Sequence, residues 1–594
     1  MTLQAAWQAL ERDDLASAES AARETLARSP GDGDALYLLG SALLFAGRHA
    51  EALAPLGDAA ARLQRRGVGY RLGHCRLALG DFSGAEAALR RETELYPDFA
   101  NAHNTLGVAL VQQAKHEQAL AAFLAALRSE PAHDEARRNA AVARGQLVWN
   151  LISLCRWDEA GPHIAAMRAG VRDGTFAASP FTMIAVSPSA EEQRRCAEQH
   201  VREQALDSVA PVARRGSARA ARIRLAYVSG DFHEHATAKL AARLFELHDR
   251  SRFEVCAVSY GEDDGSPMRR RLRAAFDRFV EVRGASDREA AQRIADGEAA
   301  IAIDLKGHTP SARPGILAAR PAPLQVSYLG FPGTTGAPFM DYLLADAIVV
   351  PPGEERCYSE RIVRLPHCYQ VNDATREIAP SSPSRAQAGL REEDFVFCCF
   401  NHAYKITPEV FAVWTRLLRR VPRARLWLLE DDAAASATLR AAALGRGIDP
   451  ARLVFAPRLP HAEHLARHRL ADLSLDTLPC NAHTTASDAL WAGLPALTCA
   501  GTTFAGRVAA SLLAAIGLPE LVTRSLQEYE DLAAALAAEP RRLAGYRERL
   551  ARNRREQPLF DSDRLRRGLE AAYQTMWEMH LRGEAPRSFN VAAP

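Results

Sequence analysis

The chain has 594 residues, which is too long for a single hydrophobic core and predicts about three domains. Its 74 Lys and Arg residues nearly balance 72 Asp and Glu residues, so the overall charge does not favour nucleic-acid binding. No apolar run is long enough to cross a bilayer, and the ten Cys residues form no CxxC pair. The amphipathic, acidic N-terminus does not resemble a signal peptide. These features predict a soluble cytoplasmic protein that binds neither membranes nor nucleic acid.

The N-terminal quarter contains an internal repeat. Gly40, Gly73 and Gly107 each follow a Leu and lie 33 and 34 residues apart, and the surrounding small and large residues follow the pattern of a tetratricopeptide repeat. Small residues at these positions allow the two helices of each repeat to pack closely. We therefore predict an all-α tetratricopeptide-repeat superhelix over residues 1–144, with a concave surface for a protein or peptide. The alternative is a purely structural or dimerising arm, which would make the protein a homodimer.

The sequence period changes after a predicted helical junction and linker at 145–220, in which residues 213–221 are rich in Arg, Ala and Ser. Short runs of β-forming residues then alternate with helical stretches, which predicts parallel sheets covered by helices on both faces. The runs fall into two groups, so we predict Rossmann-like domains at 221–385 and 386–560 and a C-terminal helix and tail at 561–594. Ligands of such sheets bind beyond the carboxyl ends of the strands. The predicted strands cover residues 223–229, 253–260, 300–305, 324–330, 395–400, 425–430, 452–457, 470–476 and 494–500.

The most informative segment lies at 476–495. A strand-like run ends in a polar turn that holds His483, Thr484 and Thr485, and a helical pattern with Asp488 in its first turn follows. Such a junction directs backbone N–H groups and the positive end of the helix dipole at one point, which favours phosphate binding. The alternative is a well-capped helix in which Thr485 and Asp488 form a capping box.

Other predicted strands also end in unusual polar residues. His235 stands just before a helix, where a capping role and a catalytic role are both open. Gly330 begins a Gly/Thr-rich turn that could bring backbone N–H groups close to a diphosphate. Lys405 stands where a helix begins, which is unfavourable for a cation unless an anion lies between them. We therefore predict that Lys405 contacts a phosphate.

Five motifs occur in one order along the chain: DFxxH at 231–235, GFPGTTG at 330–336, FNxxYKI at 400–406, HxxR at 464–467 and CNxHTTxxDxLWAG at 480–493. Together with the repeats they closely resemble the O-linked N-acetylglucosamine transferases and their bacterial and SPINDLY-type relatives. The resemblance covers nearly the whole chain. It implies an α/β GT-B fold of two Rossmann-like domains after the repeats. It also implies transfer of a sugar from a nucleotide diphosphate to Ser or Thr, with inversion and without a metal.

The resemblance further implies roles for single residues. Lys405 would neutralise the charge that builds up on the departing diphosphate, which is electrostatic catalysis. His235 would lie beside the acceptor hydroxyl as a general base, although a water chain or the donor's own phosphate remains open for that step. The implied nucleotide-sugar site consists of Gly330, His402, Lys405, Leu459, His461, His464, Arg467, His483, Thr484, Thr485 and Asp488.

Within that site the resemblance distributes the parts of the nucleotide. The hydroxyls of Thr484 and Thr485 would bind the phosphates, Asp488 the ribose, and His483 would pack against the nucleotide. The base and ribose side would be lined by His464 and Arg467, and the main chain at 459–461 would contact the base. No DxD-type carboxylate pair stands at the strand ends, so neither a metal nor another cofactor is expected.

The chain also departs from the family pattern. Ala236 follows His235 where the family often has Pro, His402 replaces the Gln of the animal enzymes, and Ala482 replaces a usual Gly. No long insertion separates the two catalytic halves, as expected for a bacterial member. The CNAHTT segment matches the branch that uses UDP-N-acetylglucosamine, with protein or peptide acceptors bound by the repeats. The alternatives are a transferase that uses GDP-fucose or UDP-glucose, and a catalytically weak interaction protein.

Overall fold

The structure is a computed structural model that describes residues 2–175, 178–214 and 221–593. It divides into two compact units, residues 1–148 (unit 1) and 149–594 (unit 2). The predicted linker at 213–221 lies mostly outside the described residues.

Unit 1 consists of antiparallel helix pairs. Three of its helices begin after an Asp whose carboxylate accepts a backbone N–H group of the first turn, namely Asp14, Asp32 and Asp81. The helices are α1 (Leu3–Glu11), α2 (Leu15–Arg28), α3 (Gly33–Phe45), α4 (His49–Arg62), α5 (Val68–Ala78), α6 (Phe82–Leu95), α7 (Ala100–Val111) and α8 (His116–Ser129), and α9 (Asp134–Ser153) continues into unit 2.

Close packing within each pair depends on the repeated glycines. A Cβ atom on Gly73 would lie 2.4 Å from Leu89 Cγ, and one on Gly107 would lie 2.4 Å from the ring of Phe123. Each of these Leu and Phe side chains is buried on the second helix of its pair. The predicted tetratricopeptide-repeat fold is confirmed, and the small residues have the steric role that the pattern indicated.

Unit 2 begins with three helices and continues into a first lobe built on a parallel sheet. The three helices are α10 (Trp157–Asp173), α11 (Pro180–Val186) and α12 (Ala190–Glu203). The first lobe contains β1 (Ile223–Ser229), α13 (Ala236–Leu247), β2 (Phe253–Ser259), α14 (Pro267–Ala275), β3 (Arg278–Glu281), α15 (Asp287–Asp296), β4 (Ile301–Asp304), α16 (Gly315–Ala318), β5 (Leu324–Ser327), β6 (Tyr342–Asp346) and β7 (Arg361–Leu365).

The second lobe of unit 2 contains another parallel sheet. Its elements are β8 (Phe395–Cys399), α17 (Pro408–Arg420), β9 (Ala424–Leu429), α18 (Ala433–Leu444), β10 (Leu453–Ala456), α19 (His461–Arg467), β11 (Leu473–Leu475), α20 (Thr484–Trp491), β12 (Ala496–Cys499), α21 (Val508–Ala515), β13 (Val522–Thr523), α22 (Leu526–Ala538) and α23 (Pro540–Glu556). The strand order is β10-β9-β8-β11-β12-β13.

The C-terminal segment returns to the first lobe. Helix α24 (Ser562–Leu581) packs on α13, where Glu570 accepts a hydrogen bond from the ring of His248 at 2.9 Å. Strand β14 (Phe589–Asn590) then pairs with β7 and completes the eight-stranded order β14-β7-β6-β5-β4-β1-β2-β3. The first lobe is therefore formed by two separate parts of the chain.

All nine predicted strands are present, and the two Rossmann-like sheets of the predicted GT-B fold are confirmed. Central strands such as β4 and β5 are buried along their whole length, which explains their continuous apolar sequence. Five further strands, β3, β6, β7, β13 and β14, were not predicted. Among them, β3 is an edge strand with partly exposed side chains, and β14 is two residues long.

Candidate active site

A cavity of about 900 Å³ lies between the two lobes of unit 2. It is lined by five of the predicted residues. His235 and Gly330 follow β1 and β5 of the first lobe, whereas His402, His483 and Thr484 follow β8 and β11 of the second. The carboxyl ends of both parallel sheets thus face this cavity, as expected for ligand sites in open α/β sheets. We call it the cleft.

Lys405 lies in the short 3-10 turn that follows β8, with its side chain only 9% exposed. Its Nζ atom donates a hydrogen bond to the backbone carbonyl of Asn481 at 2.6 Å. Burial opposes the charge of Lys405, but the neighbouring Cys480, Tyr404 and Asp476 outweigh it, so its pKa is raised. Lys405 is therefore a cation whose hydrogen-bond partner is a neutral carbonyl.

The turn that carries this carbonyl is fixed by Asp476 at the end of β11. One carboxylate oxygen of Asp476 accepts the N–H groups of Thr477 at 2.7 Å and Ala482 at 2.6 Å, and the other accepts the hydroxyl of Thr498 at 2.5 Å. Burial raises the pKa of Asp476 to about 6. These bonds hold both ends of the turn and so hold the Asn481 carbonyl in front of Lys405.

His483 is the N-cap residue of α20. Its Nε2 atom lies 3.1 Å from the carbonyl of Ala505, which makes Nε2 the donor and leaves Nδ1 as an acceptor. Burial, followed by the charge of Lys405, lowers the pKa of His483 to about 3, so the ring is neutral near pH 7. The first bond inside the helix runs from the N–H of Ser487 to the carbonyl of His483. The N–H groups of residues 484–486 precede that bond and suit an anion.

Thr484 and Thr485 differ in their surroundings. Thr484 lines the cleft. The hydroxyl of Thr485 instead donates to the side-chain carbonyl of Asn401, so its proton is already used inside the protein. The alternative of a capping box between Thr485 and Asp488 is wrong, because α20 begins at Thr484 and the carboxylate of Asp488 binds a distant cation.

That cation is Arg376, which the sequence did not single out. Its Nη1 atom donates to Asp488 Oδ1 at 2.5 Å, and both side chains are buried. His461 Nε2 lies 3.5 Å from the same oxygen. Burial alone would raise the pKa of Asp488, but His461 and Arg376 outweigh it and lower the pKa to about 2. Asp488 is therefore ionised throughout the physiological range.

Leu459 and Arg467 line a second cavity, of about 700 Å³, beside β10. The guanidinium of Arg467 is 4.4 Å from the ring centre of Phe400 and donates to the carbonyl of Pro457 at 2.6 Å. It also donates to Nδ1 of His464, whose pKa is lowered to about 2 by burial and by His468 and Arg467. The structure thus places five predicted residues on the cleft and Leu459, His461, His464 and Arg467 in or next to α19, whereas Lys405, Thr485 and Asp488 line neither cavity.

His235 caps α13, as one of its two predicted roles requires, and it also lines the cleft; its catalytic role stays a prediction. Its Nδ1 atom accepts the N–H of Thr237 at 3.2 Å and lies 3.4 Å from Asp231 Oδ2. Burial lowers the pKa of His235; Asp231 opposes this shift and Lys306 adds to it.

Asp231 and Lys306 form a buried ion pair next to His235. Lys306 Nζ donates to Asp231 Oδ1 at 2.9 Å, and both residues line the cleft. The sequence placed Asp231 in a motif and Lys306 at a strand end, but it gave no sign that the two would meet.

Two further cleft residues have well-defined environments. A Cβ atom on Gly330 would lie 1.9 Å from the carbonyl oxygen of Leu305, so only glycine fits there. His402, which is half exposed, lies 2.6 Å from Asp431, and Asp431 also accepts a hydrogen bond from Arg458. The His402 side chain is therefore held at the rim of the cleft by a carboxylate.

No cluster of three or more His, Cys, Asp or Glu residues suited to a metal ion occurs in the described parts of the chain. Within the same ranges, no helix has both the length and the apolar character that crossing a membrane requires.

The sequence matches the profile of "Glycosyl transferase family 41" over residues 210–380 and 374–569, which is more than half of the chain. The chain belongs to this family. Residues 3–67, 70–134 and 105–144 match a tetratricopeptide-repeat profile.

Known relatives agree with this assignment. The chain is 40% identical over 387 residues to a probable UDP-N-acetylglucosamine–peptide N-acetylglucosaminyltransferase SEC of Arabidopsis thaliana, covering 64% of this chain and 39% of that protein. A Caenorhabditis elegans UDP-N-acetylglucosamine–peptide N-acetylglucosaminyltransferase is 30% identical over 474 residues, covering 61% of this chain and 41% of that protein. The chain therefore spans about two fifths of the length of these relatives.

A solved structure of a mutant O-GlcNAc transferase from Thermobaculum terrenum resembles nearly the whole chain. The two share 29% sequence identity with a TM-score of 0.64, and the match covers 98% of this chain and 97% of that one. The likeness includes both the repeats and the two sheets.

Proposed function

We propose that the protein is an inverting glycosyltransferase that moves N-acetylglucosamine from UDP-N-acetylglucosamine to Ser or Thr hydroxyls of proteins. Membership of glycosyl transferase family 41 and the activity named for its relatives support this proposal. The single observation that carries it is the environment of Lys405. A buried ammonium held by a neutral carbonyl, close to the N-terminus of α20, retains a positive charge that a diphosphate can neutralise.

The reaction requires one bond to break and one to form. The bond between the anomeric carbon and the diphosphate breaks, and UDP leaves with both bonding electrons. Lys405 and the N–H groups of residues 484–486 stabilise the charge that develops on the leaving oxygen. The acceptor hydroxyl attacks the opposite face of the sugar, which inverts the anomeric centre, and its proton passes to a base. His235 is our candidate for that base.

The remaining residues would hold the nucleotide. Asp488, ionised and fixed by Arg376, is suited to accept hydrogen bonds from the two ribose hydroxyls. The uracil and ribose side is assigned to the main chain at 459–461 with His464 and Arg467. Gly330 would let its backbone approach the donor, since it carries no side chain.

No metal or other cofactor is included in this proposal, because Lys405 and the helix N-terminus supply the positive charge at the diphosphate. The repeats of unit 1 are assigned to the recognition of protein or peptide acceptors. A cytoplasmic location and a homodimer remain predictions.

A donor panel tests the proposal. Thermal unfolding is measured with UDP, GDP and their sugars, with and without EDTA, because a ligand of the native state raises the unfolding midpoint by mass action. We expect UDP and UDP-N-acetylglucosamine to raise it and EDTA to leave the shift intact. Mass spectrometry of Ser- and Thr-containing peptides then detects transfer. Stabilisation by GDP alone would exclude the proposed donor, and loss of the UDP shift in EDTA would contradict the metal-independent mechanism.

A further inference from the structure

Unit 1 holds two arginine side chains over the same pair of aromatic rings. Trp7 of α1 and Tyr37 of α3 have ring centres 5.1 Å apart. The guanidinium of Arg65 lies 5.0 and 5.5 Å from these two centres. That of Arg71, on α5, lies 5.6 and 4.9 Å from them and 5.2 Å from the ring of Phe45. Rings from α1 and α3 therefore form one aromatic cage, with Arg71 against all three rings and Arg65 against two of them.

The two arginines differ in their charge partners. Arg65 forms an ion pair with Asp34 at 2.7 Å. Arg71 donates to the hydroxyl of Ser41, and no carboxylate among the described residues forms an ion pair with it. Burial lowers the pKa of Arg71, which shows that its charge is partly removed from water.

A buried carboxylate in unit 1 does not neutralise Arg71 either. Glu92 uses both carboxylate oxygens to accept the backbone N–H groups of Gly67 and Gly69. A guanidinium offers five N–H donors in a planar fork, and Arg71 uses only one side of that fork, on Ser41. The rest of the fork has no carboxylate partner among the described residues, so it can bind an anion.

We propose that Arg71, Trp7, Tyr37 and Phe45 form a binding site for a carboxylate of a peptide. The planar fork of Arg71 fits a carboxylate through two parallel hydrogen bonds, and the aromatic rings hold the fork in place and exclude water. Phe45 is 55% exposed and provides an apolar contact for the peptide next to the carboxylate. The carboxylate belongs either to an Asp or Glu side chain or to the C-terminus of the peptide. Binding of the carboxylate is independent of the proposed function, and only the statement that the bound peptides are acceptors of the sugar rests on it.

The test measures peptide binding to the full-length protein by fluorescence anisotropy, so it does not require sugar transfer. Three labelled peptides share one Ala/Ser sequence. The first has a single central Glu and an amidated C-terminus, the second has Gln there and a free C-terminus, and the third has Gln and an amidated C-terminus. We expect the first or the second to bind at least about tenfold more tightly than the third, as a charge-assisted hydrogen bond allows. Which one does so identifies the source of the carboxylate.

Arg71→Gln should remove this preference, whereas the matched control Arg65→Gln should keep it, because Arg65 already has Asp34 as its partner. Arg71→Lys is the second variant. It keeps the charge but not the fork, and it should lower the preference at least severalfold. Equal binding of all three peptides by the unmodified protein, or an unchanged preference in a folded Arg71 variant, overturns the proposal. Hydrolysis of UDP-N-acetylglucosamine should be unchanged in all variants. If the protein prefers the carboxylate peptides but transfers no sugar, only the proposed function is contradicted. If it transfers the sugar but shows no such preference, only this binding site is contradicted.

Discussion

Removal of the Lys405 ammonium is the most direct test of the chemistry. Two unit charges 4 Å apart attract by about 4 kcal/mol at an effective dielectric constant of about 20, which suits a group as buried as Lys405. The diphosphate carries negative charge before transfer and gains roughly one further charge as UDP leaves. The attraction already present contributes to affinity, and only the added charge contributes to kcat. For Lys405→Ala we therefore expect weaker UDP binding and a kcat lowered by about 100- to 1000-fold.

The assay pairs calorimetry with UDP and single-turnover transfer to a Ser-containing peptide. Lys405→Met, which keeps most of the side-chain volume, separates the loss of charge from the loss of packing. Lys306→Met is the matched control, since Lys306 is another buried lysine of unit 2 and its charge is already neutralised by Asp231. The Lys306→Met variant should bind UDP with an affinity within a few fold of that of the unmodified protein. If the Lys306 variant loses UDP affinity and the Lys405 variants keep it, the assignment of the diphosphate site is wrong.

Four further outcomes are expected. His235→Ala should lower transfer by roughly 100- to 10,000-fold while calorimetry finds UDP affinity unchanged. Because burial lowers the pKa of His235 below its usual 6.5 and a base must be neutral, transfer should be lost only as the pH falls below 6.5; a profile that fails at higher pH would contradict this role. Deletion of residues 1–140 should spare donor hydrolysis but reduce transfer to proteins, and equal protein transfer would remove the repeats from acceptor binding. Gly73→Ala places a methyl group 2.4 Å from Leu89 and should lower unfolding stability by about 1–3 kcal/mol in urea titration, whereas a methyl group on Gly57 of α4 has nothing within 4 Å and Gly57→Ala should cause no such loss.

The fold was accessible from the sequence wherever a local pattern had one physical cause. The repeated glycines predicted the helix pairs because a larger residue at Gly107 would collide with Phe123. Strand β1 was predicted at its observed bounds because its central residues are buried on both faces. Strand β14 gave no such signal. Its two residues become a strand only through pairing with β7, more than 200 residues earlier in the chain.

The candidate site, too, was predictable only in part. His235, Lys405 and His483 could be located because they follow strands, and parallel strands bring their carboxyl ends to one edge. The partners of these residues could not be located. Arg376 and Asp488 are 112 residues apart, and Asp231 and Lys306 are 75 residues apart. The capping-box alternative failed for this reason, since the buried charge of Arg376 outcompetes a local hydrogen bond for Asp488.

The tautomer of His235 decides whether this residue can act as a base. A neutral imidazole has one N–H and one acceptor nitrogen, and Nδ1 accepts the N–H of Thr237, so Nε2 carries the proton in this arrangement. To accept a proton at Nε2, the ring must hold its own proton on Nδ1 and donate it to Asp231 Oδ2, which lies 3.4 Å away. The other oxygen of Asp231, Oδ1, accepts a hydrogen bond from Lys306 Nζ at 2.9 Å, which leaves Oδ2 for the ring.

Asp231→Asn should therefore lower kcat, leave UDP affinity unchanged and have no further effect when His235 is already Ala, because Asp231 acts only through the His235 ring. Transfer rates of the two single variants and the double variant measure this. If the losses multiply instead, Asp231 acts independently of His235, and the base must be sought elsewhere in the cleft.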